Sequence, residues 1–181
     1  EGHLGRLKES LETAGWGRSY YRRGYYDDGT PLGSAESDEC RIDSIAQSWS
    51  VLSGEGDAER ARRAMDAVMA ELVDRENGII RLVTPPLAET PQDPGYIKAY
   101  PPGVRENGGQ YTHAATWVVL ALAQQGRGDD AYACLDLLNP VRHALDAEAA
   151  ERYRVEPYVV AADVYGEGER TGRGGWTWDT G

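Results

Sequence analysis

Phenylalanine is absent from this sequence of 181 residues, which instead contains 11 tyrosines and 5 tryptophans. A dry core needs only apolar rings, whereas rings with a polar tip suit half-wet clefts in which sugars stack on aromatic faces. The aromatic composition is therefore compatible with a carbohydrate cleft. Compositional bias from a GC-rich genome explains it equally well, because alanine, arginine and glycine are also abundant. Composition alone leaves both explanations open.

Cysteine is scarce, and the two present, Cys40 and Cys134, match no metal-binding spacing. This scarcity argues against a disulfide framework and favours two buried thiols in a reducing compartment. The three histidines are scattered along the chain. The sequence contains no Walker loop, no Gly-x-Ser-x-Gly elbow and no His-Glu-x-x-His helix. We therefore expect neither a metal site nor a nucleophilic catalyst.

Basic residues are few relative to acidic ones, with 19 Lys and Arg against 30 Asp and Glu and a formal net charge of −11. This balance opposes binding to polyanions, so nucleic acid is not an expected partner. Long apolar runs are missing as well. The longest, Ala114 to Ala123, falls far short of the about 20 residues that cross a bilayer. We expect no direct membrane insertion of this segment.

Hydrophobic periodicity predicts a mainly helical chain. Asp43 and Asp57 each precede apolar residues at helical spacing, which predicts two N-capped helices that form a hairpin. An earlier helix is expected to end at Gly15, and an extended segment with a turn at residues 27–29 is expected to follow it. A short strand is predicted for residues 78–84. Residues 85–108 contain six of the nine prolines and form a long loop of the kind that is usually functional.

The second half of the chain carries the strongest helical signal. Residues Tyr111 to Ala123 are apolar on nearly every face, which predicts a helix buried all round. An amphipathic helix is predicted from Asp129 to Leu138, and another after Asp146. Pro157, a residue that the first turn of a helix tolerates, predicts one more helix from Tyr158 to Tyr165.

Alternation of buried and amphipathic helices, joined by long glycine-rich loops, indicates an inner and an outer layer. We therefore predict an all-α fold that is part of an α/α toroid with inner and outer helices and long connecting loops. Residues 1–181 are expected to be one portion of that domain. The start at Glu1 rather than at methionine favours a fragment of a longer protein.

His113 follows the glycine-rich segment 106–110 and enters the most apolar helix. Backbone amides at a helix start attract anions, and an imidazole there adds a hydrogen bond or a positive charge. This arrangement predicts a site for phosphate or a carboxylate. Thr180 and Gly181 offer an anion a hydroxyl and an amide. A satisfied core histidine and a plain helix cap are the alternatives at these positions.

Carboxylates beside turns are candidate sugar ligands, because each can accept hydrogen bonds from two vicinal hydroxyls. The candidates are Asp27, Asp28, Asp38, Glu39, Asp43 and Glu106. Charge near a turn is usually only solvated, which is the alternative for most of them. Glu106 is the strongest candidate, since it lies between Arg105 and a glycine pair within the long loop.

Five segments together resemble glycoside hydrolase family 94. They are residues 20–34 (YYRRGYYDDGTPLGS), 39–49 (ECRIDSIAQSW), 100–113 (YPPGVRENGGQYTH), 155–158 (VEPY) and 176–181 (WTWDTG). The family holds cellobiose and chitobiose phosphorylases, β-1,2-oligoglucan phosphorylases and the C-terminal region of cyclic β-1,2-glucan synthases. The residues of these motifs are most similar to those of the synthases.

The resemblance implies an (α/α)6 barrel in which phosphate attacks the anomeric carbon while a carboxylic acid protonates the leaving oxygen, with inversion. It implies inorganic phosphate as co-substrate and no cofactor. The residues that match phosphate-binding positions are His113, Thr180 and Gly181. The residues that match sugar-binding positions or their neighbours are Glu106, Arg105, Tyr100 and Tyr96.

Two departures from the disaccharide enzymes imply a different glucan linkage or acceptor. Tyr96 stands where the cellobiose enzymes carry Glu, and Ala162 stands where the disaccharide enzymes carry Gln. The family's general acid belongs to an Asp-Trp-Asn-Asp motif, which this sequence does not contain. The resemblance therefore assigns no catalytic residue to this chain and implies that the isolated fragment is inactive.

The leading hypothesis from the resemblance is phosphorolysis of β-1,2-linked glucan, which controls chain length in cyclic glucan synthesis. The expected partners are a β-glucan oligosaccharide, phosphate and the remainder of the parent barrel. A cytoplasmic location is expected, either for a free-standing phosphorylase or for the soluble part of an inner-membrane synthase. A non-catalytic carbohydrate-binding module and a helical scaffold for protein partners are the alternatives.

Overall fold

The computed structural model describes residues 2–176, and this part of the chain is largely helical. Its α-helices are α1 (Gly2–Ser10), α2 (Ser44–Leu52), α3 (Ala58–Glu71), α4 (Thr112–Gln124), α5 (Gly128–Leu138) and α6 (Ala147–Tyr153). A π-helical turn at Leu11–Gly15 extends α1. Single 3-10 turns lie at Tyr96–Ala99, Arg142–Ala144 and Gly168–Arg170. The predicted helical class is confirmed, whereas the closed toroid remains a prediction.

Short antiparallel strand pairs connect the helices. The strands are β1 (Gly24–Tyr25), β2 (Pro31–Leu32), β3 (Ile42–Asp43), β4 (Val73–Asp74), β5 (Ile79–Ile80), β6 (Val83–Thr84), β7 (Gln110–Tyr111) and β8 (Asp163–Val164). The pairs are β1 with β2, β3 with β6, β4 with β5 and β7 with β8. The strand predicted for residues 78–84 is thus two short strands, each with its own partner.

Two predicted N-caps start the central helical hairpin. The Asp43 carboxylate accepts hydrogen bonds from the backbone N–H groups of Ile45 and Ala46 at the start of α2. Asp57 accepts one from the N–H of Arg60 at the start of α3. Because these side chains satisfy amides that have no partner within the helix, both helices begin where the sequence predicts.

The main core lies among α2, α3, α4 and α5. Helix α4 packs on both α2 and α5, and α2 also packs on α3. Fully buried side chains at the centre include Met65, Val68, Val118 and Leu122. Tyr20 and Tyr21 are buried in the same core, so tyrosine takes core positions in a chain without phenylalanine. Cys40 and Cys134 are buried free thiols, as predicted.

Helix α4 is not buried on every face in this chain. Its inner face is buried, but Leu120 is 55 % exposed and His113 is exposed at its start. Trp49 on the neighbouring helix α2 is 45 % exposed. The sequence therefore predicted the apolar character of α4 correctly, whereas the described residues cover only part of its surface.

The helix predicted from Tyr158 to Tyr165 is wrong. This segment is irregular and then forms β8, which pairs with β7. Tyr165 donates its N–H to the Arg173 carbonyl at 2.9 Å, and Ala162 donates to the Trp176 carbonyl at 2.6 Å. Hydrogen bonds to β7, Arg173 and Trp176 thus satisfy the backbone N–H and C=O groups of this segment. The first turn of a helix tolerates proline, but Pro157 does not by itself make the following residues helical.

Candidate functional site

A tight turn places the charged candidates at the end of the long proline-rich loop. Val104 and Asn107 form an isolated antiparallel bridge, and the Asn107 N–H donates to the Val104 carbonyl at 3.0 Å. Arg105 lies at the tip with φ of 50°, a left-handed conformation that is uncommon for residues other than glycine. The turn therefore presents Arg105 and Glu106 together at its tip.

Asn107 fixes this turn from inside. Its side-chain amide donates to the carbonyls of Leu87 and Tyr100, at 2.8 and 2.7 Å. Its Oδ1 accepts from the N–H of Leu87 at 2.6 Å, and the whole residue is buried. Asn107 thus joins the two ends of the long loop, and sequence reasoning did not single it out.

The candidate sugar-binding residues lie together. The Arg105 guanidinium lies 5.5 Å from the centre of the Tyr100 ring and 5.8 Å from that of Tyr111. Arg105 Nε is 3.6 Å from Glu106 Oε2, close enough for charge attraction but too far for a hydrogen bond. Tyr96 packs edge-on against Tyr100 and remains 65 % exposed. The arrangement offers a cation, a carboxylate and ring faces to a polar ligand.

His113 opens α4 on an exposed surface. It is not a buried core histidine, because its side chain is exposed and rests against Trp117 with the ring centres 4.8 Å apart. Tyr111, the N-cap residue of α4, makes no side-chain capping bond, and the first turn contains no acidic residue. The amides at this helix start are therefore not claimed by a carboxylate.

Buried polar residues hold the start of α4 in place. The Ile80 N–H donates to Gln110 Oε1 at 2.9 Å, and Gln110 Nε2 donates to Thr112 Oγ1 at 3.2 Å. The Thr112 hydroxyl donates to the Ala161 carbonyl at 2.6 Å. These buried hydrogen bonds join β5, β7 and the segment before β8, and they fix the position of the first turn of α4.

Asp163 adds a buried carboxylate to the same region. It is 1 % exposed and pairs with Tyr111 in the β7–β8 ladder. Burial raises the pKa of Asp163, and the negative charge of Glu106 raises it further. The hydrogen bond from the Trp176 N–H and the positive charge of Arg105 act in the opposite direction. Burial acts to lower the pKa of Arg105, but Tyr100, Glu106 and Asp163 raise it more. The three charged side chains therefore interact electrostatically.

Trp176 is the last residue that the structure describes, and it lies against β8. Its N–H donates to Asp163 Oδ1 at 2.9 Å. Thr180 and Gly181, the other two residues predicted to bind phosphate, lie outside the described residues. Of the predicted phosphate residues, the structure therefore places His113.

The model of the glycosyl hydrolase 94 superfamily, catalytic domain, matches residues 2–181. The chain belongs to the glycosyl hydrolase 94 superfamily. The family expected from the five motifs is therefore confirmed by a match over nearly the whole chain.

Curated relatives within the superfamily are similar along most of this chain. It is 74 % identical over 181 residues to the cyclic beta-(1,2)-glucan synthase NdvB of Rhizobium meliloti (strain 1021), covering all of this chain and 6 % of the relative. It is 31 % identical over 177 residues to solabiose phosphorylase of Paenibacillus borealis, covering 97 % of this chain and 22 % of the relative. It is 30 % identical to N,N'-diacetylchitobiose phosphorylase of Vibrio furnissii, covering 95 % of this chain and 22 % of the relative. The chain thus spans less than a quarter of the length of each.

Several carboxylates considered as sugar ligands bind the backbone of this superfamily member instead. Asp43 caps α2 and forms an ion pair with Arg23. Asp28 Oδ1 accepts from the Thr30 N–H at 2.8 Å. Glu39 accepts from three successive N–H groups of residues 88–90. These three carboxylates thus have structural contacts, whereas Glu106 lies beside Arg105 and the aromatic residues of the long loop.

Sequence reasoning missed Asp163 and Asn107 as parts of this region. Asn107 belongs to the quoted segment 100–113, so its place beside Glu106 was a usable signal. Asp163 carries no local signal, because it follows Ala162 in a segment predicted to be helical. Within residues 2–176 no group of three or more His, Cys, Asp or Glu side chains forms a metal-binding arrangement, and no helix is long and apolar enough to cross a membrane.

Proposed function

We propose that this chain forms the C-terminal portion of an (α/α)6 barrel in an inverting glycoside phosphorylase region that acts on β-1,2-linked glucan. The observation that carries the proposal is the start of α4. Its first turn has no side-chain cap, and it presents exposed His113 two residues after Tyr111, whose ring centre lies 5.8 Å from the Arg105 guanidinium. The identities with NdvB and with the two phosphorylases support the same reading.

In this mechanism, phosphate is held by His113, Thr180 and Gly181. Amides at a helix start and an imidazole favour an anion, which fits the open first turn of α4. The phosphate oxygen attacks the anomeric carbon, the glycosidic bond breaks, and the leaving oxygen takes a proton from an acid on the opposite face. Inversion at a β-linkage then yields α-glucose 1-phosphate. Because phosphate is itself the nucleophile, no protein base is needed.

Glu106, Arg105, Tyr100 and Tyr96 contact the glucan in this proposal. The Glu106 carboxylate accepts hydrogen bonds from sugar hydroxyls, Arg105 orients that carboxylate, and the tyrosine rings stack on sugar faces. The general acid belongs to the part of the parent protein outside this chain. We therefore expect the isolated chain to release no glucose 1-phosphate.

The remainder of the parent barrel is the expected neighbour of the exposed apolar side chains Leu120 and Trp49. In a fused synthase, phosphorolysis trims linear glucan and sets its length before ring closure. We expect a cytoplasmic location for this region, where phosphate is abundant.

The test is the substitution His113→Ala in the full-length protein that carries this region. Loss of a hydrogen bond to a charged group is expected to raise the KM for phosphate by about one to two decades. Glucan binding measured without phosphate should stay unchanged. Normal phosphate dependence together with lost glucan binding would instead make His113 a sugar ligand. Glucan binding without any phosphorolysis by the parental protein would favour a carbohydrate-binding module.

A further inference from the structure

The His113 side chain is held through a ring contact. Within residues 2–176, the imidazole makes no hydrogen bond or ion pair. Its ring lies against Trp117, with the ring centres 4.8 Å apart and the planes inclined by 55°. The Thr116 hydroxyl donates to the His113 carbonyl at 2.6 Å, but this bond fixes the backbone and does not restrain the side chain. The contact with Trp117 therefore orients the imidazole.

The spacing of the two residues in α4 explains this contact. Residues four apart lie on one face of a helix, and their side chains lean toward its N-terminus. The Trp117 ring therefore covers the turn that contains His113. Because α4 begins at Thr112, no earlier turn of the helix provides a side chain that covers His113 from the other side. The imidazole thus rests on Trp117 and stays exposed elsewhere.

Trp117 is itself held by two other parts of the fold. The ring of Trp49 on α2 packs edge-on against it, with the ring centres 5.5 Å apart and the planes at 79°. This is a favourable arrangement for two aromatic rings. Trp117 also packs against a small buried cluster that includes Ile97 and Ala114. These contacts restrict its rotamer, so Trp117 is a fixed support for His113.

We propose that Trp117 is a positioning residue whose ring, supported by Trp49, holds the His113 imidazole in the orientation that binds phosphate. This inference rests on the proposed role of His113 in phosphate binding. Trp117 touches neither phosphate nor glucan in this proposal. It restricts the imidazole before phosphate arrives, so less side-chain freedom is lost when the anion binds.

A purely structural role for Trp117 leads to a different expectation. A tryptophan that only fills space between α2 and α4 would affect phosphate use equally with and without the imidazole. If Trp117 acts through His113, its substitution has no further effect on the KM for phosphate once the imidazole is removed. The two effects are then non-additive, which a double-mutant cycle measures.

The experiment measures the KM for phosphate, kcat and phosphate-free glucan binding in the full-length protein that carries this region. The variants are Trp117→Leu, Trp117→Phe and Trp49→Leu, each made alone and together with His113→Ala. Trp117→Leu should raise the KM for phosphate by about three- to tenfold, the range expected when one more side chain must be ordered on binding. Trp117→Phe retains a ring four residues after His113 and should stay within about twofold of the parental protein. Trp49→Leu should cause a smaller rise than Trp117→Leu, because it removes only the support.

Leu120→Ala is the matched control for a change on the same face of α4. Leu120 is exposed and lies two turns from His113, about 10 Å along the helix axis. Its substitution should leave the KM for phosphate unchanged. Glucan binding and kcat at saturating phosphate should change little in all the tryptophan variants. None of these variants should raise the KM for phosphate further when combined with His113→Ala.

Contrary results have distinct meanings. An unchanged KM for phosphate in Trp117→Leu overturns the proposal, and so does a rise that persists undiminished together with His113→Ala. A Trp117→Phe protein as impaired as Trp117→Leu, or an equal rise in Leu120→Ala, also overturns it. Lost glucan binding in Trp117→Leu would make Trp117 a sugar contact instead.

Two further outcomes separate this proposal from the one on which it rests. If His113→Ala leaves the KM for phosphate unchanged, the proposed phosphate site itself fails. If His113→Ala raises that KM and Trp117→Leu does not, only the role of Trp117 fails. If Trp117→Leu does not fold, Trp49→Leu decides by the same cycle, since it leaves the Trp117 ring in place.

Discussion

The starts of α2 and α4 are two solutions to the same problem. Both helices have first-turn amides that no intrahelical carbonyl satisfies. At α2 the buried Asp43 carboxylate accepts two of these N–H groups and pairs with Arg23. At α4 the N-cap Tyr111 makes no side-chain capping bond, and exposed His113 follows. A carboxylate side chain therefore caps the first helix, whereas the second helix starts without a side-chain cap.

The other helices of the described region support this contrast. Asp57 and Asp146 cap α3 and α6, each by accepting one backbone N–H. Helix α5 has no side-chain cap, but Asp129 and Asp130 lie in its first turn and compensate the helix dipole. Among α2 to α6 of residues 2–176, α4 therefore stands apart in having neither an acidic cap nor a first-turn acid.

Removing the carboxylate that caps α2 should produce the largest effect on stability. Asp43→Ala leaves Arg23 without its buried partner and removes the cap, so local stability should fall by about 3 to 5 kcal/mol. Asp57→Ala is the matched control, because Asp57 is exposed and its loss should cost about 1 kcal/mol. Hydrogen exchange of residues 44–52 and 58–71 in the full-length protein measures both. Equal losses at the two helices would mean that burial of Asp43 contributes nothing.

A carboxylate placed at the start of α4 should weaken phosphate binding and slightly stabilise the helix. His113→Glu introduces a first-turn carboxylate, which should stabilise α4 by about 0.3 to 1 kcal/mol. The same charge repels phosphate, so the KM for phosphate should rise about tenfold further than in the neutral variant His113→Gln. Hydrogen exchange of residues 112–124 and steady-state kinetics test the two expectations. Equal KM values for the two variants would show that the helix start is not close to the anion.

Glu39 extends the comparison to a carboxylate that accepts hydrogen bonds from backbone N–H groups outside a helix. Burial acts to raise the pKa of Glu39, but the N–H groups of Glu89, Ala88 and Thr90 lower it below the ordinary value of 4.5. Its contribution to stability is therefore present above about pH 4.5 and is lost as the pH falls through the lowered pKa. We expect less than about 1 kcal/mol, since solvent screens this partly exposed group.

The check on Glu39 is hydrogen exchange of residues 88–90 between pH 3 and 6, compared with Glu39→Gln. The parental protein should lose protection of these amides at the acidic end, after correction for the intrinsic exchange rate. The variant should show weaker protection throughout and no such loss. A pH response that survives in Glu39→Gln would assign the titration to another carboxylate.

The sequence by itself determined helices α2 to α6 and the family. Asp43, Asp57 and Asp146 mark three helix starts, because short acidic side chains satisfy first-turn amides locally. Apolar spacing then locates α2 to α5, since a helix must bury one face. The proline-rich loop was also predictable, because proline removes backbone donors within residues 85–108. All of these signals act over a few residues.

Only the tertiary structure decided how the candidate site is assembled. Asp163 lies in a segment that the local pattern predicted to be helical. Its strand partner Tyr111 is distant in sequence, and Trp176 reaches it only after an irregular turn. Pairing of β7 with β8 satisfies backbone groups that a helix would otherwise satisfy internally. Contacts of this kind depend on which segments meet in space, so no periodicity within 158–165 reports them.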